Sequence, residues 1–149
     1  MKWMDEQTHK LVIDNVPLAC IDLLILCQDK YLLIKRERFP VPVYWLPGGR
    51  VFLNEPLDDA AKRIAKDECG LDITIKRLIG AESTVFERGP YENQGINTIN
   101  LIYLGLSDSF DVKLDANHSD YRWDSCSGNI DSSLHPYVRN FISAAFLEV

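Results

Sequence analysis

The sequence lacks the long apolar segments and basic clusters that accompany membrane or nucleic-acid partners. None of its hydrophobic runs approaches the roughly 18 residues that a membrane-spanning helix needs. Its 149 residues include 22 acidic and 16 basic side chains, a net charge of −6, and the Lys and Arg residues form no cluster. Such a balance disfavours affinity for a phosphate backbone. We expect no membrane and no nucleic-acid partner, while a local positive pocket for a small anionic ligand stays open.

The sequence also shows no signal-peptide pattern and no closely spaced cysteine pair, so we expect neither a leader segment nor a disulfide. The first ten residues, MKWMDEQTHK, carry two acids and no apolar segment of the signal-peptide type. The four cysteines, Cys20, Cys27, Cys69 and Cys126, contain no C-x-x-C pair. Free thiols are therefore favoured over disulfides or a zinc site, and the cytoplasm is the expected compartment.

No internal repeat, low-complexity segment or linker interrupts the chain, so residues 1–149 are expected to form a single domain. The first sixteen residues predict an amphipathic helix that ends at Pro17. Its expected apolar side contains Trp3, Leu11, Val12 and Val16. Two apolar runs around Gln28-Asp29-Lys30 then predict a β-hairpin.

The remaining patterns predict a mixed sheet between helices. VYWLPGGRVFL predicts a strand, a Pro-Gly-Gly turn and a second strand, and NEPLDDAAKRIAKDECGL predicts a helix capped by Asn54 and stopped by Gly70. Two strand regions, DITIKRLIGAESTVFE and INTINLIYLGL, flank the polar loop RGPYENQG. A short strand, DYRWDS, and a closing helix, SLHPYVRNFISAAFLEV, follow. The expected class is α/β (α+β), a sandwich of helices on a mixed sheet.

The central helix carries an acid on its apolar side. Leu57, Ala61 and Ile64 fall at i, i+4 and i+7, so they predict one stripe facing the sheet. Glu68 occupies the next position of that stripe. A carboxylate there is costly to desolvate unless it is protonated, paired or bound to a cation. The alternative is an ordinary helix-end glutamate that reaches water.

The glycine pair upstream of this helix suggests a partner for that acid. Gly48 and Gly49 have no Cβ, so a backbone carbonyl can approach a ligand closely. A carbonyl and a carboxylate are the hard oxygen donors that Mg²⁺ prefers, with water and substrate phosphates as its other ligands.

The segment from Gly49 to Leu71 resembles the Nudix box, G-x5-E-x7-R-E-U-x-E-E-x-G-U, in which U is a bulky aliphatic residue. The matching positions are Gly49, Glu55, Arg63, Glu68, Gly70 and Leu71. Asp67 is a conservative change, whereas Ile64 and Ala65 depart from the pattern. The resemblance implies a Nudix-type α/β/α sandwich.

The resemblance also implies roles within the box. Glu55 and Arg63 would fix the loop and the helix to each other, and positions 64, 67 and 68 would carry the metal-binding acids. Ile64 removes one acid from the cluster that holds several Mg²⁺ ions in Nudix pyrophosphatases. Such a site is either inactive or needs less metal.

The chain also resembles the GDP-mannose mannosyl hydrolase branch of the Nudix family, which lacks that acid and cleaves at the sugar carbon. The resemblance extends over residues 1 to about 125. The residues that carry it are Asp22 in PLACID, Arg36 in LLIKR, Arg50 in YWLPGGRV and His118 in NHSDYRW.

The resemblance to this branch implies a mechanism. His118 would be the general base that activates water, and Asp22 the anion that faces the developing positive charge. Arg36, Arg50 and Arg63 would neutralise the diphosphate. The anomeric centre would be inverted.

One divalent ion, Mg²⁺ or Mn²⁺, would be bound by the Gly48 carbonyl, Glu68 and the diphosphate. Asn117 occupies the place of a glutamine metal ligand of the branch, one methylene shorter. Leu101 aligns with a tyrosine of the branch, and Tyr103 lies two residues further on. The resemblance implies GDP-mannose or a similar GDP-hexose as the small-molecule substrate, and a homodimer.

The residues alone leave plainer alternatives open. His118 lies in a polar loop, Asp22 could be structurally paired, and Arg36 could end a solvated strand. Two other functions remain: a Nudix pyrophosphatase that uses Asp67 and Glu68, and an inactive nucleotide-binding module.

Overall fold

The computed structural model describes residues 3–37, 43–92 and 94–147. Within these ranges, three helices and seven strands follow one another in the order expected from the sequence. They are α1 (Glu6–Asn15), β1 (Leu18–Cys27), β2 (Lys30–Arg36), β3 (Tyr44–Trp45), β4 (Gly48–Arg50), α2 (Leu57–Cys69), β5 (Thr74–Phe86), β6 (Ile96–Leu106), β7 (His118–Ser125) and α3 (Pro136–Leu147).

The strands form one mixed sheet with the order β3-β2-β1-β6-β5. The central strand β1 runs parallel to β6 and antiparallel to β2. The two strands of the hairpin pair only next to their turn, at Leu26↔Tyr31 and Cys27↔Lys30. Beyond it, β4 pairs with β1, while β3 and β7 pair with β2. The hairpin therefore opens towards its far end.

Each face of the sheet is covered by one helix. On one face α2 contributes Ala61, Ile64 and Ala65 to a core that includes Ile21 and Leu23. On the other face α3 contributes its own apolar residues. These are Tyr137, Val138, Phe141, Ile142 and Ala145. The α/β sandwich predicted from the sequence is thus confirmed.

The apolar side predicted for the first helix is wrong except at Val12, which is half-buried. The helix begins at Glu6, after Asp5, whose carboxylate accepts a hydrogen bond from Thr8 N at 2.9 Å. Ile13 is its buried residue, whereas Trp3, Leu11 and Val16 are 70%, 61% and 52% exposed. A helix of ten residues at the outside of the sheet buries only a narrow strip of its surface. The first two residues of the predicted helix lie outside the described residues.

Three local predictions around the central helix are also corrected. The glycines do not form the turn, because Gly48 already begins β4, which pairs with β1 rather than β3. Asn54 is not the N-cap: it adopts the left-handed conformation, with φ 63°, and Pro56 occupies the cap. Asn tolerates that conformation, which turns the chain into the helix. Leu57, at the first helical position, is 40% exposed and does not face the core.

All four cysteines are free thiols, as expected, and Cys27 and Cys69 are buried. Gly70 has φ 68° and ends α2 as predicted, with its N–H bonded to the Lys66 carbonyl at 3.0 Å. Within the described residues, no helix is both long and apolar enough to cross a membrane.

Candidate active site

The opening of the hairpin brings Gly48 against Asp22. The two residues face each other in the β1–β4 register. A Cβ on Gly48 would lie 1.9 Å from Asp22 Oδ1 and 2.8 Å from the Ile21 carbonyl oxygen. No larger residue fits at this position unless the neighbouring strand moves. The glycine is therefore required by this close approach and not by a turn.

The backbone of Gly48 is directed away from β1. Hydrogen bonds from Leu23 N to Pro47 O and from Val51 N to Ala19 O place Gly48 at a position without ladder bonds, where N–H and C=O both point outwards. The N–H donates to Glu68 Oε2 at 3.0 Å. The Gly48 carbonyl thus lies on the same outer edge as the Glu68 carboxylate.

Glu68 is held in an environment that disfavours its charge. Desolvation raises the pKa of Glu68 from 4.5 to about 8, although the Gly48 amide and the charge of Arg36 act in the opposite direction. A carboxylate of this kind is stabilised when a cation replaces the lost hydration.

Of the three box positions implied to carry acids, only Glu68 lines the cavity. Ile64 is 2% exposed and belongs to the core beneath Gly49. A Cβ added to Gly49 would lie 3.4 Å from the Ile64 side chain. Asp67 is half-exposed and lies 3.7 Å from Arg63 Nη1.

Asp22 is 5% exposed and faces α3. The Tyr137 hydroxyl donates to Asp22 Oδ2 at 2.5 Å. Burial raises the pKa of Asp22, whereas the charge of Arg36 and hydrogen bonds from Tyr137 and Trp45 lower it. No sequence pattern pointed to Tyr137, because its contact depends on how α3 crosses the sheet.

His118 begins β7 opposite Arg36, at an irregularity in the β2–β7 register. Its Nδ1 lies 2.6 Å from Asp115 Oδ1, which also accepts the amide of Asn117 at 3.0 Å. Asp115 was missed in the sequence analysis. The spacing of three residues in the segment DANH is the signal that could have revealed it.

A cavity of about 370 Å³ joins these elements. Six of the residues singled out above line one side of it: Asp22, Arg36, Gly48, Glu68, Asn117 and His118. Strands β5 and β6 supply a second wall. Thr84, Phe86, Ile96, Thr98 and Asn100 form that wall. The predicted base, acid and metal donors therefore share one space.

Arg50 and Arg63 do not line this cavity. Arg63 donates from Nε to Glu55 Oε1 at 2.5 Å and from Nη2 to the Arg50 carbonyl at 2.9 Å. Glu55 in turn accepts the Phe52 amide at 2.9 Å. These contacts connect the β4–α2 loop to the helix, in agreement with the structural role implied for Glu55 and Arg63.

Arg50 lies at the edge of this arrangement. Its guanidinium carbon is 4.9 Å from the centre of the Phe52 ring, whose other close cation is Arg63 at 3.8 Å. The register places Arg50 opposite Cys20, a cavity residue. Arg36, by contrast, lines the cavity, and its guanidinium carbon is 5.1 Å from the centre of the Trp45 ring.

Tyr103 and Leu101 contact the core on the α2 face of the sheet. The cavity residues of β6 are Ile96, Thr98 and Asn100, which face the opposite side of the strand from Leu101 and Tyr103. Neither Tyr103 nor Leu101 is therefore among the residues that meet at the cavity.

The oxygen donors around Gly48 fit one hard divalent cation. Glu68 supplies a carboxylate, Gly48 a carbonyl at the same edge, and Asn117 an amide on the cavity wall. Among residues 3–37, 43–92 and 94–147, no three His, Cys, Asp or Glu side chains are grouped as a metal centre. This donor set is typical of Mg²⁺ sites that are completed by water and substrate phosphates.

Comparison with known proteins bears on the family and the fold. The NUDIX domain family model matches residues 19–141. The chain therefore belongs to the NUDIX family. It is a Nudix hydrolase, a class that acts on nucleoside diphosphate derivatives with the help of divalent metal ions.

Three relatives illustrate the likeness. The low-salt glycan biosynthesis protein Agl8 of Haloferax volcanii is 32% identical over 137 residues, 89% of this chain and 85% of that protein. An ADP-ribose pyrophosphatase of Methanocaldococcus jannaschii is 38% identical over 85 residues, 56% of this chain and 49% of that protein. The crystal structure of a MutT protein from Methanosarcina mazei matches with a TM-score of 0.71 and 23% identity, and covers 90% of this chain and 96% of that one.

Proposed function

We propose that the protein hydrolyses a GDP-hexose, GDP-mannose or GDP-glucose, to GDP and free sugar by attack of water at the anomeric carbon with inversion. One observation carries the proposal: Glu68 is the only acid of the α2 box positions that lines the cavity, where it is joined by Asp22 and His118. A site with one metal-binding carboxylate and a separate base suits departure of GDP better than attack on phosphorus.

The diphosphate would be held at the Glu68 end of the cavity. Arg36 supplies positive charge there, and Arg50 reaches the margin beside Cys20. A Mg²⁺ ion bound by Glu68, the Gly48 carbonyl and the diphosphate, with Asn117 nearby, would stabilise the leaving group. Arg63 would act on the phosphates only through the loop that it holds in place.

The reacting water would be activated by His118. The imidazole accepts one proton from water, the oxygen of water bonds to C1, and the C1–O bond breaks with its electron pair on GDP. Asp22 is the anion available to the positive charge that develops on the ring. Burial among Trp45 and Tyr137 fixes its position.

The name of the Haloferax relative, a glycan biosynthesis protein, supports a sugar-containing substrate. The ADP-ribose pyrophosphatase relative supports the alternative of cleavage between the phosphates. The position of Asp67 beside Arg63 disfavours that alternative, because it leaves Glu68 as the single acid of the α2 box positions at the cavity. An inactive nucleotide-binding module and a homodimer are separate hypotheses.

Product analysis tests the proposal. GDP-, UDP- and ADP-sugars are incubated with the protein and Mg²⁺ or Mn²⁺, and the products are separated by ion-exchange chromatography. We expect GDP and free hexose from a GDP-hexose. Formation of GMP and hexose 1-phosphate would assign the protein to the pyrophosphatases, and absence of turnover on every substrate would favour the binding module.

A further inference from the structure

We propose that Asp115 is a positioning residue that fixes the tautomer and orientation of His118. The inference rests on the proposed function, in which His118 is the general base. Asp115 Oδ1 lies 2.6 Å from His118 Nδ1. Because a carboxylate only accepts hydrogen bonds, the proton of the neutral imidazole must reside on Nδ1. Nε2 then keeps the lone pair that a general base needs.

The contacts of Asp115 also fix where the ring lies. The backbone amide of Asp115 donates to the Glu68 carbonyl at 3.3 Å, and that of Lys113 donates to the Cys69 carbonyl at 2.8 Å. The loop before β7 is thus attached to the last turn of α2. Through Asp115 the base is connected to the same helical turn that carries the metal-binding glutamate.

An aspartate that only stabilises a turn needs one hydrogen bond from a backbone N–H to its side chain. Asp115 Oδ1 accepts such a bond from the backbone N–H of Asn117 at 3.0 Å, which already closes the turn. The bond to His118 is additional, and it is sheltered: the His118 side chain is 7% exposed and that of Asp115 is 26% exposed. Since the imidazole lines the cavity, this second bond acts directly on the candidate base.

The tautomer can be observed without substrate or metal. Imidazole ¹⁵N–¹H correlation spectra are recorded on the full chain at a pH where histidine is neutral. The chain has three histidines, and His118→Gln assigns the signal. In the wild type we expect His118 to carry its proton on Nδ1. In Asp115→Ala we expect a shift towards the Nε2-protonated form, with a kcat about 100-fold lower and a KM within about twofold.

Matched variants separate positioning from loop folding. Asp111→Ala removes an exposed carboxylate of the same loop and should change neither the spectrum nor the kcat. Asp115→Asn keeps an oxygen for the Asn117 amide, so it should fold even if the alanine variant does not, and lower kcat about tenfold. In a His118→Gln background, Asp115→Ala should cause no further loss, because the two residues act as a unit.

Two results would overturn the inference. The first is that His118 stays protonated on Nδ1 in Asp115→Ala. The second is that Asp115→Ala lowers turnover by the same factor in the His118→Gln background as in the wild type. Failure of the proposed function has a different signature. If His118→Gln turns over normally, His118 is not the base, but the spectrum still decides whether Asp115 sets the tautomer.

Discussion

Two glutamates of the same segment, Glu55 and Glu68, differ in what surrounds their carboxylates. Glu55 is bonded to Arg63 through both oxygens and to the Phe52 amide, and these bonds, led by the Arg63 contact, lower its pKa. Glu68 accepts one amide bond and is otherwise desolvated, which raises its pKa to about 8.

We interpret the difference as that between a structural acid and an acid available to a ligand. A carboxylate whose charge is balanced within the protein stabilises the fold and has little to offer a ligand. A carboxylate that is buried at a cavity without such balance is destabilising until a cation or a proton reaches it. If the two regions differ in this way, substitutions at the cavity should reduce activity, and substitutions around Glu55 should reduce stability.

The largest effect is expected for His118, the candidate general base in the cavity. His118→Gln should lower kcat about 10³-fold, because general-base catalysis contributes between about 10² and 10⁴. The KM should stay within about threefold, since the substrate contacts are retained. Steady-state kinetics on the substrate found by the product screen measure both. His9→Gln, on α1 and outside the cavity lining, is the matched control, and an equal loss there would remove the distinction.

The next effect separates two neighbouring acids of α2. Glu68→Gln should lower activity about 100-fold at limiting Mg²⁺ and weaken the metal dependence, because the carboxylate at Gly48 is lost. Asp67→Asn should stay within about threefold, since Asp67 is half-exposed and lies beside Arg63. Titrations of activity with Mg²⁺ provide the comparison. Equal losses in the two variants would instead support a pyrophosphatase that uses both acids.

The Glu55 region should respond in stability before activity. Glu55→Gln removes the close charged partner of the Arg63 guanidinium, which is 19% exposed, and leaves it only the half-exposed Asp67 at 3.7 Å. This change should lower the free energy of unfolding by about 2 kcal/mol. Urea denaturation measures this change, and kcat should remain within about threefold. Glu6→Gln, which removes an exposed ion pair with Lys10, should leave the unfolding midpoint unchanged. A large loss of kcat in Glu55→Gln without loss of stability would contradict a structural role.

The smallest effect is a dependence of stability on pH. The folded state holds the pKa of Glu68 at about 8, above the ordinary 4.5, so ionisation of this group opposes folding. The metal-free protein should therefore lose stability as pH rises from about 4.5 to about 8. The melting temperature should fall by a few degrees over this range, and Glu68→Gln should reduce the slope. A slope that is identical in the variant would show that other groups cause it.

Periodicity predicted the order of elements because each element follows a local pattern. The apolar run of β1 and the stripe of α2 both reflect side chains that face a core, and Ala61 and Ile64 are buried as expected. The Gly48-Gly49 pair was misjudged because a turn residue and a strand residue look alike when their pairing partner is unknown. Asn54 was misjudged because Asn suits both a helix N-cap and a left-handed turn. The opening of the β1–β2 hairpin, which creates the cavity, depends on that pairing.

The candidate site was predicted in part, since motif spacing identifies residues but not their directions. Asp22, Arg36, Glu68 and His118 meet at one cavity, whereas Arg63 turns to Glu55. Tyr137 and Asp115 were missed, the first because its contact with β1 spans 115 positions of the chain. Its partner Asp22 signalled only that some partner must exist, since a lone acid in an apolar strand requires one.

Attack at carbon by a site with a single metal-binding acid can be tested by hydrolysis of the GDP-hexose in ¹⁸O-labelled water, with mass spectrometry of the nucleotide product. We expect GDP without ¹⁸O, because the C1–O bond breaks and the phosphate oxygens are all retained. Nucleotide or sugar phosphate that carries ¹⁸O on phosphorus would contradict it.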